Sequence, residues 1–539
     1  MSESKSQKSS RSLAGIAGIV AVATLISKIF GLVRQQAIAA AFGVGAAVDA
    51  YNYAYVIPGF LLVLLGGING PFHSAIVSVL AKRHKSEAAP LVETITTFVG
   101  GVLFLVTVAL ILFADPLIDL VAPGLSQTSK GLEIRAIAIQ QFQIMAPMAL
   151  LAGLIGIGFG ALNAADMYWL PSISPLFSSV ALLGGIFILA LQLGEKIIQQ
   201  EYAMRGGLVL AWGTLIGAIL QWLIQVPALW RNGLGRLRFR FNFRHPGVQE
   251  VTKVMVPATL SSGMLHINVY TDLFFASYIP QAAASLAYSG LLVQTPLGII
   301  SNVILVPFLP IFSRLAEPES WDELKYRIRQ ALVLTGITML PLSGIMVTLA
   351  LPIVRVVYER YAFDLSASNF VASVLMAYAL GMFVYLGRDV LVRVFYALGD
   401  GETPFKISVI NIFLNVVLDY LLVNAFGAPG LVLATVGVNL ISMLIFLWLL
   451  DRKLGGLPWG EWFMLFTGLI GGGLATGFVC WVVLWGSELV LGSEGFFVLL
   501  LELGLASFSG LGIFGLIVMK MNLPEVDIFV GRIRQKLGI

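Results

Sequence analysis

Charged residues are scarce in this chain. Only 12% of its 539 residues are Asp, Glu, Lys or Arg, against roughly 25% in an average soluble domain. Hydrophobic residues make up 58% of the chain, and its mean hydropathy is +0.91. This composition excludes a soluble domain carried on one membrane anchor.

Groups that perform catalysis are scarce as well. The single cysteine, Cys480, excludes an intramolecular disulfide. The four histidines are scattered without the spacing of metal ligands, and no nucleophile–base pattern is visible. The glycine-rich segment 66–70 lacks the lysine and serine of a phosphate-binding loop. The sequence therefore favours a protein that is not an enzyme.

Long apolar runs are abundant. Each covers about 20 residues or more, which is enough to cross a hydrocarbon core of about 30 Å. The runs lack the period-2 alternation of barrel strands and so predict membrane helices. About fourteen spans are expected, at 13–42, 49–81, 89–113, 134–162, 170–193, 206–229, 249–278, 281–313, 328–357, 367–398, 404–425, 428–450, 461–486 and 495–519. The predicted fold class is an all-α polytopic membrane protein.

Positive charge is concentrated in alternate loops. Basic residues follow spans two, six, eight, twelve and fourteen, whereas the intervening loops are short or acid-balanced. The positive-inside rule makes the basic loops cytoplasmic, so both termini are expected in the cytoplasm of a bacterial inner membrane. The start at 1–12 is polar and basic and predicts a disordered cytoplasmic tail rather than a cleaved signal. The same distribution accounts for the pI of about 9.0 without a nucleic-acid partner.

An internal repeat is visible. The segment FGAL at 159–162 precedes Pro171, and FYAL at 395–398 precedes Pro404, an offset of 236 residues from 159 to 395. Ala50-Tyr51 and Ala287-Tyr288 recur at an offset of 237. Six spans separate the copies, so the pattern predicts two parallel six-helix lobes and a C-terminal helix pair. The expected parts are a tail at 1–12, an N-lobe at 13–230, a basic loop at 231–248, a C-lobe at 249–452 and a last part at 453–539.

The basic loop Arg231–His245 alternates arginine with leucine or phenylalanine from Arg236 onward. The simpler interpretation is a topology determinant that rests on anionic lipid headgroups. The alternative is a site that gathers anionic substrates, and the sequence favours the first.

Two basic residues lie inside the first span. An arginine at a helix centre in lipid costs about 2.5–3.5 kcal/mol on insertion scales, so it usually faces protein or a water-filled cavity. Arg34 is therefore predicted to face a cavity and to contact an anion, although snorkelling to the interface is the alternative. Lys28 lies nearer the centre of the span, where snorkelling is harder.

Other charged residues near or within spans have competing interpretations. Asp389 and Arg393 form an i,i+4 pair in the favoured order, which predicts an internal salt bridge, and Arg388 is a candidate for the cavity. Asp49, just before the second span, is either a helix N-cap or a gate residue.

Intramembrane oxygen ligands suggest ion coupling. Asn415 and Asp419 stand four apart on one helix face, Thr435 lies in the following span, and Asp272 lies in the seventh span. Their carboxylate, amide and hydroxyl oxygens suit Na⁺ or a transferable proton. The alternative is helix–helix hydrogen bonding around a neutral aspartate.

Six segments occur in a specific order along most of the chain. They are SKIFGLVR at 27–34, FGVGAAVDAY at 42–51, NGPF at 69–72, TDLFFASY at 271–278, LVQTPLG at 292–298 and FYALGDGETPFKI at 395–407. This series resembles the MurJ/MviN family, the lipid II flippases of the multidrug/oligosaccharidyl-lipid/polysaccharide exporter superfamily. About fourteen helices in two six-helix lobes plus a final pair is also that family's plan.

The resemblance implies alternating access. The headgroup of lipid II, a polyprenyl pyrophosphate that carries the peptidoglycan precursor, would enter a cationic cavity between the lobes. Its tail would stay in lipid along the last two helices. The resemblance also implies a sodium site of Asp272, Asn415, Asp419 and Thr435. The substrate-binding candidates are Arg34, Lys28, Asp49, Asn69, Arg388 and Arg393.

The sequence departs from the family at some positions. Cavity arginines common in the second and eighth helices are replaced by leucine and glycine through 61–67 and by Leu291, and Gln35 replaces a frequent acid. The expected function is flipping of lipid II, driven by Na⁺ or membrane potential, in contact with membrane lipids and the cell-wall synthesis machinery. The alternatives are another polyprenyl-linked glycan, cation-coupled drug export, a scaffold for cell-wall enzymes or, more remotely, a membrane glycosyltransferase.

Overall fold

The fold is helical throughout the part of the chain that the computed structural model describes, namely residues 2–67, 70–80, 83, 85–236, 238–264, 267–492 and 495–525. The first eleven helices are α1 Ser2–Phe42, α2 Ala46–Gly66, α3 Pro71–Leu80, α4 Lys85–Leu112, α5 Ala114–Val121, α6 Ser129–Met145, α7 Met148–Ala164, α8 Trp169–Ile173, α9 Pro175–Leu193, α10 Ala203–Leu223 and α11 Gln225–Arg231. The others are α12 Pro246–Met264, α13 Ile267–Ala276, α14 Ala282–Arg314, α15 Trp321–Thr348, α16 Ala350–Tyr358, α17 Leu365–Leu380, α18 Met382–Ala397, α19 Glu402–Phe426, α20 Ala428–Lys453, α21 Trp459–Leu491 and α22 Phe496–Lys520. The predicted all-α class is confirmed.

Twelve helices in the described residues are long and apolar enough to cross a membrane. The predicted spans outside this set are 13–42, which lies in α1, and 249–278, which is divided between α12 and α13. The count of fourteen therefore stays a prediction.

The first helix begins earlier than the sequence suggested. α1 starts at Ser2, so the disorder predicted for 1–12 differs from the structure. Lys, Glu, Gln and Arg are good helix formers, and an existing helix extends at little cost once it is nucleated. The apolar part of α1 supplies that nucleus.

The chain divides into two compact units. Unit 1 comprises Met1–Ala284 and Arg360–Phe363, and unit 2 comprises Ser285–Glu359 and Asp364–Ile539. In unit 1 the short segment contributes a backbone hydrogen bond of 3.0 Å from Ala362 to Ala40. The predicted lobe boundary at 231–248 stays a prediction.

The helix boundaries repeat at the offset found in the sequence. A shift of 236 residues moves the first residues of α4, α5 and α6 onto those of α15, α16 and α17. The pairs of first residues are Lys85 and Trp321, Ala114 and Ala350, and Ser129 and Leu365. The first three helices of this series belong to unit 1 and the second three to unit 2. Local structure thus repeats along the chain, as FGAL and FYAL suggested.

Close helix packing in unit 2 depends on small residues. α21 and α22 pack along their length, where a Cβ on Gly510 would lie 2.5 Å from Cys480 Sγ and 3.2 Å from the Thr476 carbonyl oxygen. The thiol of Cys480 donates to the Ala506 carbonyl at 3.3 Å. Only glycine permits this approach of the two backbones, as in other membrane helix pairs.

Loops assigned to one membrane side by the predicted topology lie together in unit 1. At one end, a cavity of about 550 Å³ is lined by residues of 42–49, 124–134, 197–203 and 277–281. All four ranges fall where the predicted topology has outer loops. Arg135 also pairs there with Asp119, at 2.6 Å and 2.8 Å, and with Asp115. The pair with Arg135 holds the pKa of Asp119 below its usual range.

The loops predicted to be cytoplasmic meet elsewhere in unit 1. Arg83 Nη2 lies 3.2 Å from Glu250 Oε2, and Asn232 Nδ2 lies 3.0 Å from Met167 Sδ. In unit 2, Lys453 Nζ lies 2.8 Å from Asp400 Oδ2, again between two loops of the same predicted side. Loops that the predicted topology assigns to the same side of the membrane thus contact one another, as an alternating topology requires. Which side is cytoplasmic rests on the distribution of positive charge.

Candidate functional site

Arg34 of α1 carries an unsatisfied polar atom. Its Nε is buried and makes no hydrogen bond within the described residues. Tyr51 and Tyr55 of α2 lie within its electrostatic range, and their rings stack with centroids 5.4 Å apart. A buried guanidinium nitrogen without an acceptor has capacity for an anionic ligand. Lys28, also on α1, is exposed.

Asp49 has a structural partner. Its side chain is only 2% exposed, and it accepts hydrogen bonds from the backbone N–H groups of Ala284 (3.0 Å) and Gln281 (3.2 Å). These groups form the N-terminal end of α14, where free donors and the helix dipole favour a carboxylate. Asp49 lies in the first turn of α2, whose N-cap is Gly45, so the expectation that it caps its own helix is wrong, and its carboxylate caps the start of α14 instead. Asn69 lies outside the described residues.

The salt bridge predicted between Asp389 and Arg393 is not the contact that these residues of α18 make. Arg388 Nη1 lies 3.4 Å from Asp389 Oδ1 instead. The carboxylate is short and half exposed, so the long side chain of its neighbour reaches it first. Arg388 Nε is buried without a hydrogen bond among the described residues, and Arg393 is partly buried. Of the two candidate arginines, Arg388 has the unsatisfied atom.

A polar row runs between α19 and α20 in unit 2. Asn415 Nδ2 donates to Asp419 Oδ2 at 2.5 Å, and Thr435 Oγ1 donates to Asn415 Oδ1 at 3.4 Å. One turn away, Ser442 donates to Asn411 Oδ1 at 2.7 Å. The structure thus brings together three of the four residues predicted to bind an ion.

These three side chains suit a hard cation by donor type. Carboxylate, amide and hydroxyl oxygens are the ligands that such ions prefer. Asp272, the fourth predicted ligand, lies in α13 and belongs to unit 1. Among the residues described, no cluster of three or more His, Cys, Asp or Glu side chains could hold a metal. The hydrogen bonds within the row equally support helix–helix packing, so ion binding stays a prediction.

Hydrogen bonds and an ion pair hold the basic loop against α4. Glu93, only 5% exposed, accepts from the backbone N–H of Arg236 at 2.7 Å and pairs with Arg240 Nε at 2.5 Å. Thr97 accepts from the backbone N–H of Arg240 at 3.0 Å. Phe239 and Phe241 remain 83% and 73% exposed. Exposed aromatic and basic side chains on a fixed segment suit a lipid headgroup layer.

Sequence reasoning missed several buried polar residues. Gln141 of α6 is buried and donates to the carbonyls of Ala47 (3.2 Å) and Gly207 (3.0 Å), which ties α6 to α2 and α10. Glu525, buried after α22, pairs with Arg329 at 2.9 Å. Glu502 of α22 is fully buried. A lone acid in an apolar run was the signal that could have found Glu502.

Comparison with known proteins identifies the family. The profile described as lipid II flippase MurJ matches residues 38–503. The chain belongs to the MurJ family. A protein from Synechocystis sp. named probable lipid II flippase MurJ is 59% identical over 539 residues, 99% of each chain. The lipid II flippase MurJ of Burkholderia cenocepacia is 28% identical over 463 residues, 84% of this chain and 86% of the relative.

Solved structures share the fold. A lipid II flippase MurJ in an inward closed conformation aligns with a TM-score of 0.73 at 22% identity, covering 93% of this chain and 98% of its own. An inward-facing multidrug MATE transporter of the MOP superfamily aligns with a TM-score of 0.55 at 15% identity, covering 81% and 98%. The resemblance found in the motifs is confirmed. The protein is a multi-pass membrane transporter of the MurJ family and not an enzyme.

Proposed function

We propose that the protein flips lipid II, the lipid-linked peptidoglycan precursor, from the cytoplasmic to the outer leaflet of the inner membrane. The observation that carries this proposal is the 59% identity, over 99% of both chains, to the Synechocystis protein named probable lipid II flippase MurJ. Both termini are proposed to be cytoplasmic, on the positive-inside rule.

Arg34 of unit 1 is proposed to bind the pyrophosphate, and Arg388 of unit 2 is a second, separate candidate. Arg34 in unit 1 and Arg388 in unit 2 each have a buried Nε that makes no hydrogen bond among the described residues. Guanidinium groups bind phosphate oxygens through paired, charge-assisted hydrogen bonds. Transport by alternating access would expose these groups to each side of the membrane in turn.

The polar row of Asn415, Asp419 and Thr435 is proposed to couple transport to an ion. One elementary charge that crosses 100 mV gains about 2.3 kcal/mol, which is enough to bias two states of similar free energy. Na⁺ is the proposed ion because the oxygen donors match a hard cation.

A second candidate is a flippase for another polyprenyl-pyrophosphate glycan. Leu291 and the apolar segment 61–67 occupy positions where the resembled family commonly has cavity arginines. A cavity with fewer arginines could accept a headgroup that carries less negative charge than that of lipid II. The pyrophosphate would still need a cationic partner such as Arg34.

The test is flipping of labelled lipid II by the purified protein in vesicles, with Na⁺ and membrane potential varied. The wild type should flip lipid II, and Arg34→Ala should slow it by about 10- to 150-fold, because a hydrogen bond to a charged group contributes about 1.5–3 kcal/mol. Arg314→Ala, which removes an exposed arginine at the end of α14, is the matched control and should have no effect. Asp419→Asn should abolish the Na⁺ dependence.

Rescue of cells depleted of their essential lipid II flippase is the second measurement. A protein that reaches the membrane yet neither rescues growth nor flips lipid II would contradict the proposal. Flipping of a different polyprenyl-pyrophosphate glycan in the same vesicles would then favour the second candidate.

A further inference from the structure

Glu502 is a carboxyl group without hydrogen bonds inside a membrane helix pair. It lies in the second turn of α22, its side chain is 0% exposed, and both carboxyl oxygens lack a hydrogen-bond partner among the described residues. It lies on the face of α22 that also buries Leu499, Ala506 and Gly510. That face packs on α21, so Glu502 points into protein.

The charged neighbours of Glu502 come from two helices. Ser487 and Glu488 lie beside it on α21, and Arg355 lies within electrostatic range on α16. Cys480, the other titratable group on this part of α21, donates its thiol proton to the Ala506 carbonyl. α15 also packs on α22, but the acidic and basic residues of α15 lie in its first nine residues.

Arg355 is engaged by another carboxylate. Its Nε contacts both oxygens of Glu359, at 3.1 Å and 3.0 Å, and Glu359 accepts a further hydrogen bond from Ser368 at 2.7 Å. Arg355 thus neutralises Glu359 in this arrangement. The neighbour on α21, Glu488, is an acid and repels a second negative charge.

A carboxylate in this position is very costly. Moving an unpaired ion into a medium of low dielectric costs many kcal/mol, and such groups take up a proton instead. The hydroxyl beside Glu502, on Ser487, donates to the Leu484 carbonyl at 2.9 Å rather than to the carboxyl group. A neutral carboxylic acid is tolerated among Leu, Ala and Gly side chains.

We propose that Glu502 is a proton-binding site of the C-terminal helix pair. In the arrangement described, its carboxyl group carries the proton while Arg355 pairs with Glu359. When Arg355 moves from Glu359 to Glu502, the O–H bond of Glu502 breaks, its electron pair stays on the carboxylate, and the proton passes to water. Glu359 remains bonded to Ser368. Proton uptake and the position of α16 against α22 are therefore linked.

The test measures the protonated carboxyl directly. Infrared spectra of the purified protein in lipid vesicles should contain the C=O stretch of a carboxylic acid at pH 7, although an exposed glutamate ionises near about pH 4.3. Glu502→Gln should remove one component of this band, measured as the difference between the two spectra, whereas Glu488→Gln, which changes the exposed neighbour on α21, should leave the band unchanged. Arg355→Gln should move the loss of the band up by about one pH unit or more, because an opposite charge favours the ionised form.

Two further measurements exclude simpler explanations. Glu502→Asp retains a protonatable group and should retain a band at a shifted frequency, even if Glu502→Gln folds poorly. Spectra of the wild type and Glu502→Gln that are identical from pH 5 to 9 would overturn the proposal, as would a titration unaffected by Arg355→Gln. The readout needs no substrate, so its outcome is independent of whether lipid II is flipped.

Discussion

Asp49 illustrates how one side chain of α2 organises another helix. Both of its carboxyl oxygens accept backbone N–H groups at the start of α14. The donors at a helix start have no partners within the helix, so a buried helix end needs an external acceptor. At the scale of single residues, the burial of Asp49 is thus explained by the backbone N–H groups that it accepts, without any substrate.

Replacement of Asp49 should lower stability. Asp49→Ala leaves two buried N–H groups unsatisfied and should cost about 0.5–2 kcal/mol or more, the usual range for loss of an N-cap. Asp49→Asn keeps one acceptor oxygen and should cost less. Thermal unfolding of the purified protein in detergent measures both.

The control for Asp49 is Asp322→Ala, because the Asp322 side chain is fully exposed. It should leave the melting temperature unchanged. Equal melting temperatures for Asp49→Ala and Asp322→Ala would contradict a capping role for Asp49.

At the scale of helices, the approach of α21 to α22 depends on Gly510. A Cβ there would come within 2.5 Å of Cys480 Sγ and 3.2 Å of a backbone carbonyl. The backbone cannot yield as a flexible side chain can, so even one methyl group must push the helices apart.

Gly510→Ala is therefore expected to destabilise the pair by about 1–3 kcal/mol, the usual cost of overpacking. Gly512→Ala is the matched control, since nothing lies within 4 Å of its Cβ position. Alanine favours a helix over glycine, so this variant should be neutral or slightly more stable.

The readout for both glycine variants is the rate at which a thiol reagent modifies the buried Cys480. Faster labelling in Gly510→Ala alone supports the packing argument. Equal rates in the two variants would contradict it.

Contacts between residues close together in the sequence were the ones that the sequence could predict. Asn415 and Asp419 are four residues apart, so helix periodicity alone placed them in contact. The same rule placed Arg393 within electrostatic range of Asp389. It did not predict that the direct contact of Asp389 is with its neighbour Arg388, because periodicity does not decide which side chain a short carboxylate meets first. Thr435 entered the set as a hydroxyl group in the following span, and the family resemblance then implied the same residue.

Contacts between distant segments were beyond the sequence. The partners of Asp49 lie more than 230 residues away, and Glu93 holds a loop more than 140 residues further along. No local pattern encodes such a pairing. Helix existence was predictable because an apolar run in lipid has few alternatives to a helix.

At the scale of the whole chain, topology can be tested directly. Gln199 lies in an exposed loop predicted to be outside, and Asn232 in an exposed loop predicted to be cytoplasmic. A membrane-impermeant maleimide applied to intact cells with a permeable outer envelope should label Gln199→Cys and not Asn232→Cys. The buried Cys480 should contribute little background.

Labelling of both loop cysteines after the cells are broken is the control for accessibility. The reverse pattern in intact cells, with Asn232→Cys labelled and Gln199→Cys protected, would invert the proposed topology and with it the direction of transport.

The offset of 236 residues has a consequence for how the two copies diverged. The positions matched to Asn415 and Asp419 in the first copy are Ser179 and Leu183, so the helical frame was retained while the polar row was not. A repeated scaffold that keeps this polar row in one copy cannot work as two equivalent halves. The repeat survives in the helix boundaries, and the difference between the copies lies in the side chains.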